Sequence, residues 1–129
     1  MLTERDRRIL EAPNFASIAT AMPDGGPQVS TVWIDLDGDD VLVNTGEGLV
    51  KTENVRRDPR VAISVVDQQE DPYEQVVIRG SVVEITTEGA DEHIDRLTKK
   101  YLGLDTYPWR KPGERRVILR IRVDRSSEG

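Results

Sequence analysis

The chain has no cysteine and, in 129 residues, one histidine, one phenylalanine, two tryptophans and three tyrosines. Without cysteine there can be no disulfide, thiolate metal ligand or cysteine nucleophile. With His93 as the sole imidazole, a metal centre would need carboxylates for most of its ligands and a histidine-based triad finds no support. No metal is therefore expected, and His93, beside Asp91, Glu92 and Asp95 in a helical pattern, reads as a surface residue. Ser30, Ser64 and Ser81 sit in strand-like runs outside any nucleophile elbow, so hydrolase machinery is missing from the pattern. No apolar run approaches the roughly 18 residues of a membrane span, and the first eight residues, MLTERDRR, lack the apolar stretch of a signal peptide. The expectation is a cytoplasmic protein without a membrane partner.

Charged residues make up 33% of the chain and hydrophobic ones 36%, with a formal net charge of −6. That sign opposes the counterion release on which non-specific nucleic-acid binding rests, which argues against nucleic acid as a partner. Length, together with the absence of repeats or a linker, predicts one domain over residues 1–129. Such a domain is small for a core plus a fully enclosed cofactor pocket, so a pocket shared between two subunits is expected.

Thr3 and Asp6 form a capping pattern ahead of Ile9 and Leu10, predicting a short helix that ends by Pro13. Strands are predicted at 15–21, 28–36, 41–45, 61–66, 75–85 and 117–123, the first three joined by the turns Asp24-Gly25-Gly26-Pro27 and Asp37-Gly38-Asp39-Asp40. A helix is predicted over 88–102, with Thr87 as its N-cap, Ile94, Leu97, Tyr101 and Leu102 as its buried stripe, and Gly103 at its end. Six strands with flanking short helices predict a mainly β (α+β) chain forming a small antiparallel barrel. Segment 28–36 is apolar on both faces, with Val32, Ile34 and Leu36 on one side and Val29, Thr31 and Trp33 on the other, so its outer face needs a cover such as a second subunit.

The segment Lys51 to Arg60 reverses the sign of the chain. Lys51, Arg56, Arg57 and Arg60 stand against Glu53 and Asp58, a local charge of +2 between two apolar runs. This predicts an anion site, most simply for the phosphate of a small cofactor, with Lys51 and Asn54 three residues apart on one turn of helix. Asp35 to Asp40 fails the spacing of a calcium loop, and Gly46 to Lys51 is no dinucleotide fingerprint. A chain without evident acids, bases or nucleophiles can still be an enzyme when a cofactor carries the reaction.

Ala19-Thr20, the run from Asp24 to Trp33, Leu42-Val-Asn44-Thr45, the run from Lys51 to Ser64, and Arg79-Gly80-Ser-Val-Val together resemble the pyridoxamine 5′-phosphate oxidase-like split β-barrel superfamily over roughly residues 10–123. Within it the chain is most similar to the deazaflavin-dependent reductases that use coenzyme F420, and Tyr107-Pro-Trp109-Arg110 adds to that likeness. The resemblance implies a six-stranded antiparallel split barrel, homodimeric, with cofactors in the grooves between subunits. It places Lys51 and Asn54 at the phosphate, with Arg56, Arg57 and Arg60 as further contributors. It sets Ser30, Thr31 and Val32 along the ring, Asn44 and Thr45 at the strand end before the phosphate turn, and Arg79 and Gly80 on a strand approaching the cofactor. Trp109 would come from the opposite subunit as part of the substrate wall. The implied reaction is hydride transfer from reduced F420 to an activated C=C bond of a small electron-poor substrate, with the proton from solvent or Tyr107. The additional basic residues and C-terminal extension typical of true pyridoxamine phosphate oxidases are not matched in this pattern, so vitamin B6 oxidation is not the expected reaction. The alternatives are FMN in the same fold and a non-catalytic F420 carrier.

Overall fold

A computed structural model describes residues 2–127. Helix α1 (Glu4–Glu11) begins as the sequence predicts. Thr3 Oγ1 accepts from the Asp6 N–H, the Asp6 carboxylate accepts from the Thr3 N–H, each at 3.0 Å, and Ile9 and Leu10 are fully buried. Strands β1 (Ala16–Ala21), β2 (Pro27–Val32), β3 (Ile34–Asp37) and β4 (Asp40–Gly46) follow, then helix α2 (Val50–Arg57). Strands β5 (Arg60–Val66) and β6 (Gln75–Thr86), helix α3 (Ala90–Leu102) and strand β7 (Arg116–Ser127) complete the order.

The fold is mainly β, and the strands make one strongly curled antiparallel sheet, a split barrel, in the order β2-β1-β5-β6-β7-β4-β3. It has seven strands where the sequence predicts six, because segment 28–36 divides at Trp33. Residues 27–32 pair with β1 and residues 34–37 with β4, which lie near opposite edges of the sheet. No single ladder serves both neighbours, so Trp33 is a joint that carries the chain from one edge of the split barrel to the other. Ile18, Ile34, Val43, Ile63, Ile78, Leu119 and Ile121 fill its interior.

Three local expectations are corrected. Gly89, at φ 75°, is the N-cap of α3 in place of Thr87, since the left-handed backbone there suits glycine. Leu102 is exposed, because on this turn of α3 it is Lys100 and Tyr101 that face the sheet, where both bond to Ile34 of β3. His93 is fully buried beneath α3, on its inward side. Among the described residues no helix is long and apolar enough to cross a membrane.

Candidate functional site

A cavity of about 260 Å³ opens where the barrel seam meets the loop between α3 and β7. Thr31, Val32 and Trp33 line it from the seam, Asn44 and Thr45 from the end of β4, Leu49 and Lys51 from the start of α2, and Ile94 from α3. Tyr107, Trp109 and Arg116 form the loop side, and Phe15 the rim. Five of the six aromatic side chains of the protein gather here in one array. Trp33 and Tyr101 stack at 5.1 Å and 6°, and Phe15 stacks with Tyr101 at 5.9 Å and 17°. Tyr107 meets Trp33 edge-on at 6.4 Å and Trp109 at 5.7 Å. The array is anchored by the Tyr101 hydroxyl, which donates to the Asn14 carbonyl at 2.7 Å and accepts from the Ile34 N–H at 3.1 Å. A chain that gathers most of its few aromatics around one cavity has built a rigid, largely apolar wall suited to a ring-bearing ligand.

The charge at this wall is positive. Lys51 is half-buried and has no hydrogen-bond or ionic partner among the described residues, and burial, followed by the nearby charge of Arg116, pushes its ammonium below the usual lysine range. Arg116 donates from Nε to Asn44 Oδ1 at 2.8 Å, contacts Glu114, and lies over the Tyr107 ring at 5.3 Å. Helix α2 starts at Leu49 with no side-chain cap, so its first backbone N–H groups are available beside Lys51. Two cations and an uncapped helix start at one cavity make a site for an anionic group on a ring-bearing ligand.

Of the residues singled out in the sequence, Thr31, Val32, Asn44, Thr45, Lys51, Tyr107 and Trp109 meet at this cavity. The others lie elsewhere on the single chain. Asn54 is 2% exposed; its Nδ2 donates to Thr20 Oγ1 at 3.0 Å and its Oδ1 accepts from Arg57, so it fastens α2 to β1. Arg56 pairs with Glu47 and Glu53, Arg60 with Asp58, and Arg57 donates to the Ala21 carbonyl at 2.6 Å. Ser30 has a buried Oγ without a partner among the described residues. Arg79 is exposed on β6, and Gly80 is pressed against β7. Sequence reasoning missed Phe15, Leu49, Ile94, Tyr101 and Arg116. For Arg116 the sequence offers only a basic residue ahead of the last strand, and its partner Asn44 is 72 positions away.

The model of the pyridoxamine 5′-phosphate oxidase family matches residues 2–128. Among solved structures the chain is similar to one described as an F420 reductase, at 29% identity over 99% of this chain and 100% of that one, with a TM-score of 0.86. It is similar in fold to a putative pyridoxamine 5′-phosphate oxidase from Listeria innocua, at 21% identity over 96% and 94% of the two chains and a TM-score of 0.72. A conserved hypothetical protein from Mycobacterium tuberculosis shares the fold at 23% identity over 98% and 83%, with a TM-score of 0.72.

Proposed function

The chain belongs to the pyridoxamine 5′-phosphate oxidase family, and on that premise we propose that it is an oxidoreductase that uses reduced coenzyme F420 to reduce an activated C=C bond of a small electron-poor substrate. The observation that carries this reading is the half-buried Lys51, without a partner among the described residues, beside Arg116 at the foot of an aromatic wall. A ligand with a flat ring system and an anionic tail satisfies both halves of that site. The name of the similar F420 reductase favours the deazaflavin over FMN.

In this reading the bound deazaflavin supplies the hydride from its ring C5. Lys51 and the first N–H groups of α2 hold the phosphate. Asn54 serves the site from behind, by fixing α2 to β1 through Thr20. Thr31 and Val32 hold the plane of the ring, and Trp33, Tyr107 and Trp109 exclude water from the reacting face. Hydride addition leaves a carbanion or enolate on the substrate, protonated by solvent or by the Tyr107 hydroxyl. The protein acts as a homodimer through the outer face of β2-β1-β5-β6, where Ala19, Val29, Ala62 and Val77 surround a shallow apolar depression and Val29 is 63% exposed. Sedimentation velocity tests that assembly, and a monomer at micromolar concentration counts against it.

Parallel titration with F420 and FMN, followed by turnover of reduced F420 with enones and quinones, tests the function. Tight F420 binding with turnover supports the reading. Preferential FMN binding overturns the cofactor assignment, and binding without turnover across the panel marks a carrier.

A further inference from the structure

A row of four polar side chains runs from the cavity into the protein: Arg116, Asn44, His93 and Asp35. Arg116 Nε donates to Asn44 Oδ1 at 2.8 Å. Asn44 Nδ2 donates to the Ala90 carbonyl at 2.8 Å and lies 3.2 Å from His93 Nδ1. His93 Nε2 lies 3.5 Å from Asp35 Oδ2 and has no closer partner among the described residues.

The chemistry of the two ends fixes every orientation between them. A guanidinium can only donate, so the Asn44 oxygen must face Arg116; a carbonyl can only accept, so the Asn44 amide group must face Ala90. That amide group also faces His93 Nδ1, which must therefore be the bare nitrogen, and the ring proton sits on Nε2 toward Asp35. The contact with His93 is the foremost reason that the Asp35 carboxyl lies below its ordinary range. A fully buried imidazole with a fixed tautomer has no packing reason to be polar, since an apolar side chain would fill the space under α3 without needing partners. What it gives the protein is an acceptor that holds Asn44. Asn44 in turn holds Arg116, whose other contacts are Glu114 and the Tyr107 face, leaving Nη2 with no partner among the described residues.

We propose that His93 is a positioning residue: by accepting from Asn44 it presents the Arg116 guanidinium to an anionic group, phosphate or carboxylate, of the ligand in this cavity. The inference rests on the ligand-binding reading of the cavity given above. It assigns a role to a buried titratable side chain that touches neither ligand nor reacting atoms.

Because His93 is the sole histidine, long-range proton–nitrogen NMR reads its tautomer in the ligand-free wild type without further assignment. A proton on Nε2 and a bare Nδ1 are expected, and a proton on Nδ1 overturns the proposal whether or not any variant folds. The Arg116 Nε–H signal, identified by its loss in Arg116→Lys, should be displaced from the free-arginine position. It should collapse to that position in His93→Leu and be retained in His93→Asn, whose side-chain oxygen restores an acceptor near the place of Nδ1. Affinity for F420, or for FMN where that is the cofactor bound, should fall about tenfold in His93→Leu and return to within about twofold of wild type in His93→Asn. An Arg116 signal or an affinity unchanged in folded His93→Leu overturns the proposal. A wild type that binds neither cofactor sinks the functional reading and the ligand role of His93 with it, whereas a collapsed Arg116 signal with intact wild-type binding and lost variant affinity supports both.

Discussion

Lys51 and Arg116 face one cavity, and the charge of Arg116 adds to burial in pushing the Lys51 ammonium below the usual lysine range. Two like charges at one cavity, one of them without a partner among the described residues, work against the empty protein and in favour of an anion bound between them.

Replacing Lys51 with Met keeps the aliphatic stem and removes the charge. A lysine whose folded pKa lies below its unfolded value opposes folding while it is protonated, and that cost is relieved as pH rises through the folded pKa. Ligand-free Lys51→Met should therefore melt higher than wild type at neutral pH, while its cofactor affinity falls by about 10- to 100-fold. Calorimetric melting and a fluorescence titration check both halves. A lower melting point with unchanged affinity would make Lys51 a structural residue.

Trp109 is 57% exposed and touches Tyr107 edge-on, whereas Tyr101 is half-buried with two backbone hydrogen bonds. The two aromatics should separate function from stability. Trp109→Ala should cost under about 1 kcal/mol of stability and raise KM several-fold with kcat little changed. Tyr101→Phe strands the Ile34 N–H and the Asn14 carbonyl and should cost about 1–3 kcal/mol, with little change in KM. Denaturant midpoints and steady-state kinetics on the two variants provide the comparison.

How far the residues announce this arrangement depends on the range of the interaction. The cap of α1 is legible because Thr3 and Asp6 satisfy each other within one turn. Strand positions are legible because alternation reports which face is buried. The break at Trp33 is hidden, because Val32, Ile34 and Leu36 continue the alternation across the joint, and alternation does not say which neighbour a strand pairs with. Lys51 stands out as part of a charge reversal. Its distance of three from Asn54 suggests a shared face, yet β1 claims Asn54 through Thr20, a tertiary contact that spacing does not encode. His93 reads as surface from its acidic sequence neighbours, whereas its actual partners come from β3 and β4.

Lys100 offers a pH signature independent of any ligand. Its ammonium donates to the carbonyls of Leu10 at 2.8 Å and Ile34 at 2.7 Å, and burial lowers its pKa to about 8, partly countered by Asp35. The unfolded chain holds that proton up to about pH 10.4. Between these two values the unfolded state binds more protons than the folded one, so this group makes stability rise with pH, by at most about 1.4 kcal/mol per pH unit. Tyr101, raised to about 12 by burial, acts in the opposite sense above about pH 10. Urea midpoints from pH 8 to 10 should therefore climb less steeply in Lys100→Met than in wild type, although the variant is less stable throughout for want of its two hydrogen bonds. Parallel curves would place the Lys100 pKa near its ordinary value.

Gly80 decides whether its strand is held by packing or by a ligand. A Cβ there would lie 2.3 Å from the Arg122 carbonyl oxygen and 3.0 Å from the Ile121 side chain, at a register shift between β6 and β7. The obstructing atom is backbone, which cannot swing aside as a flexible side chain would, so the ladder itself has to move. Gly80→Ala should lose about 1–3 kcal/mol or more, seen as a lower denaturant midpoint in the absence of any cofactor. The distortion would fall at Val123, opposite Gly80, and beside the fully buried Ile121, away from Arg116 at the start of β7 where that strand meets the cavity, and so leave Lys51 and the aromatic wall in place. Cofactor affinity of the folded fraction should then stay within about twofold of wild type. A large loss of affinity with an unshifted midpoint would instead give Gly80 the cofactor contact that the family resemblance implies.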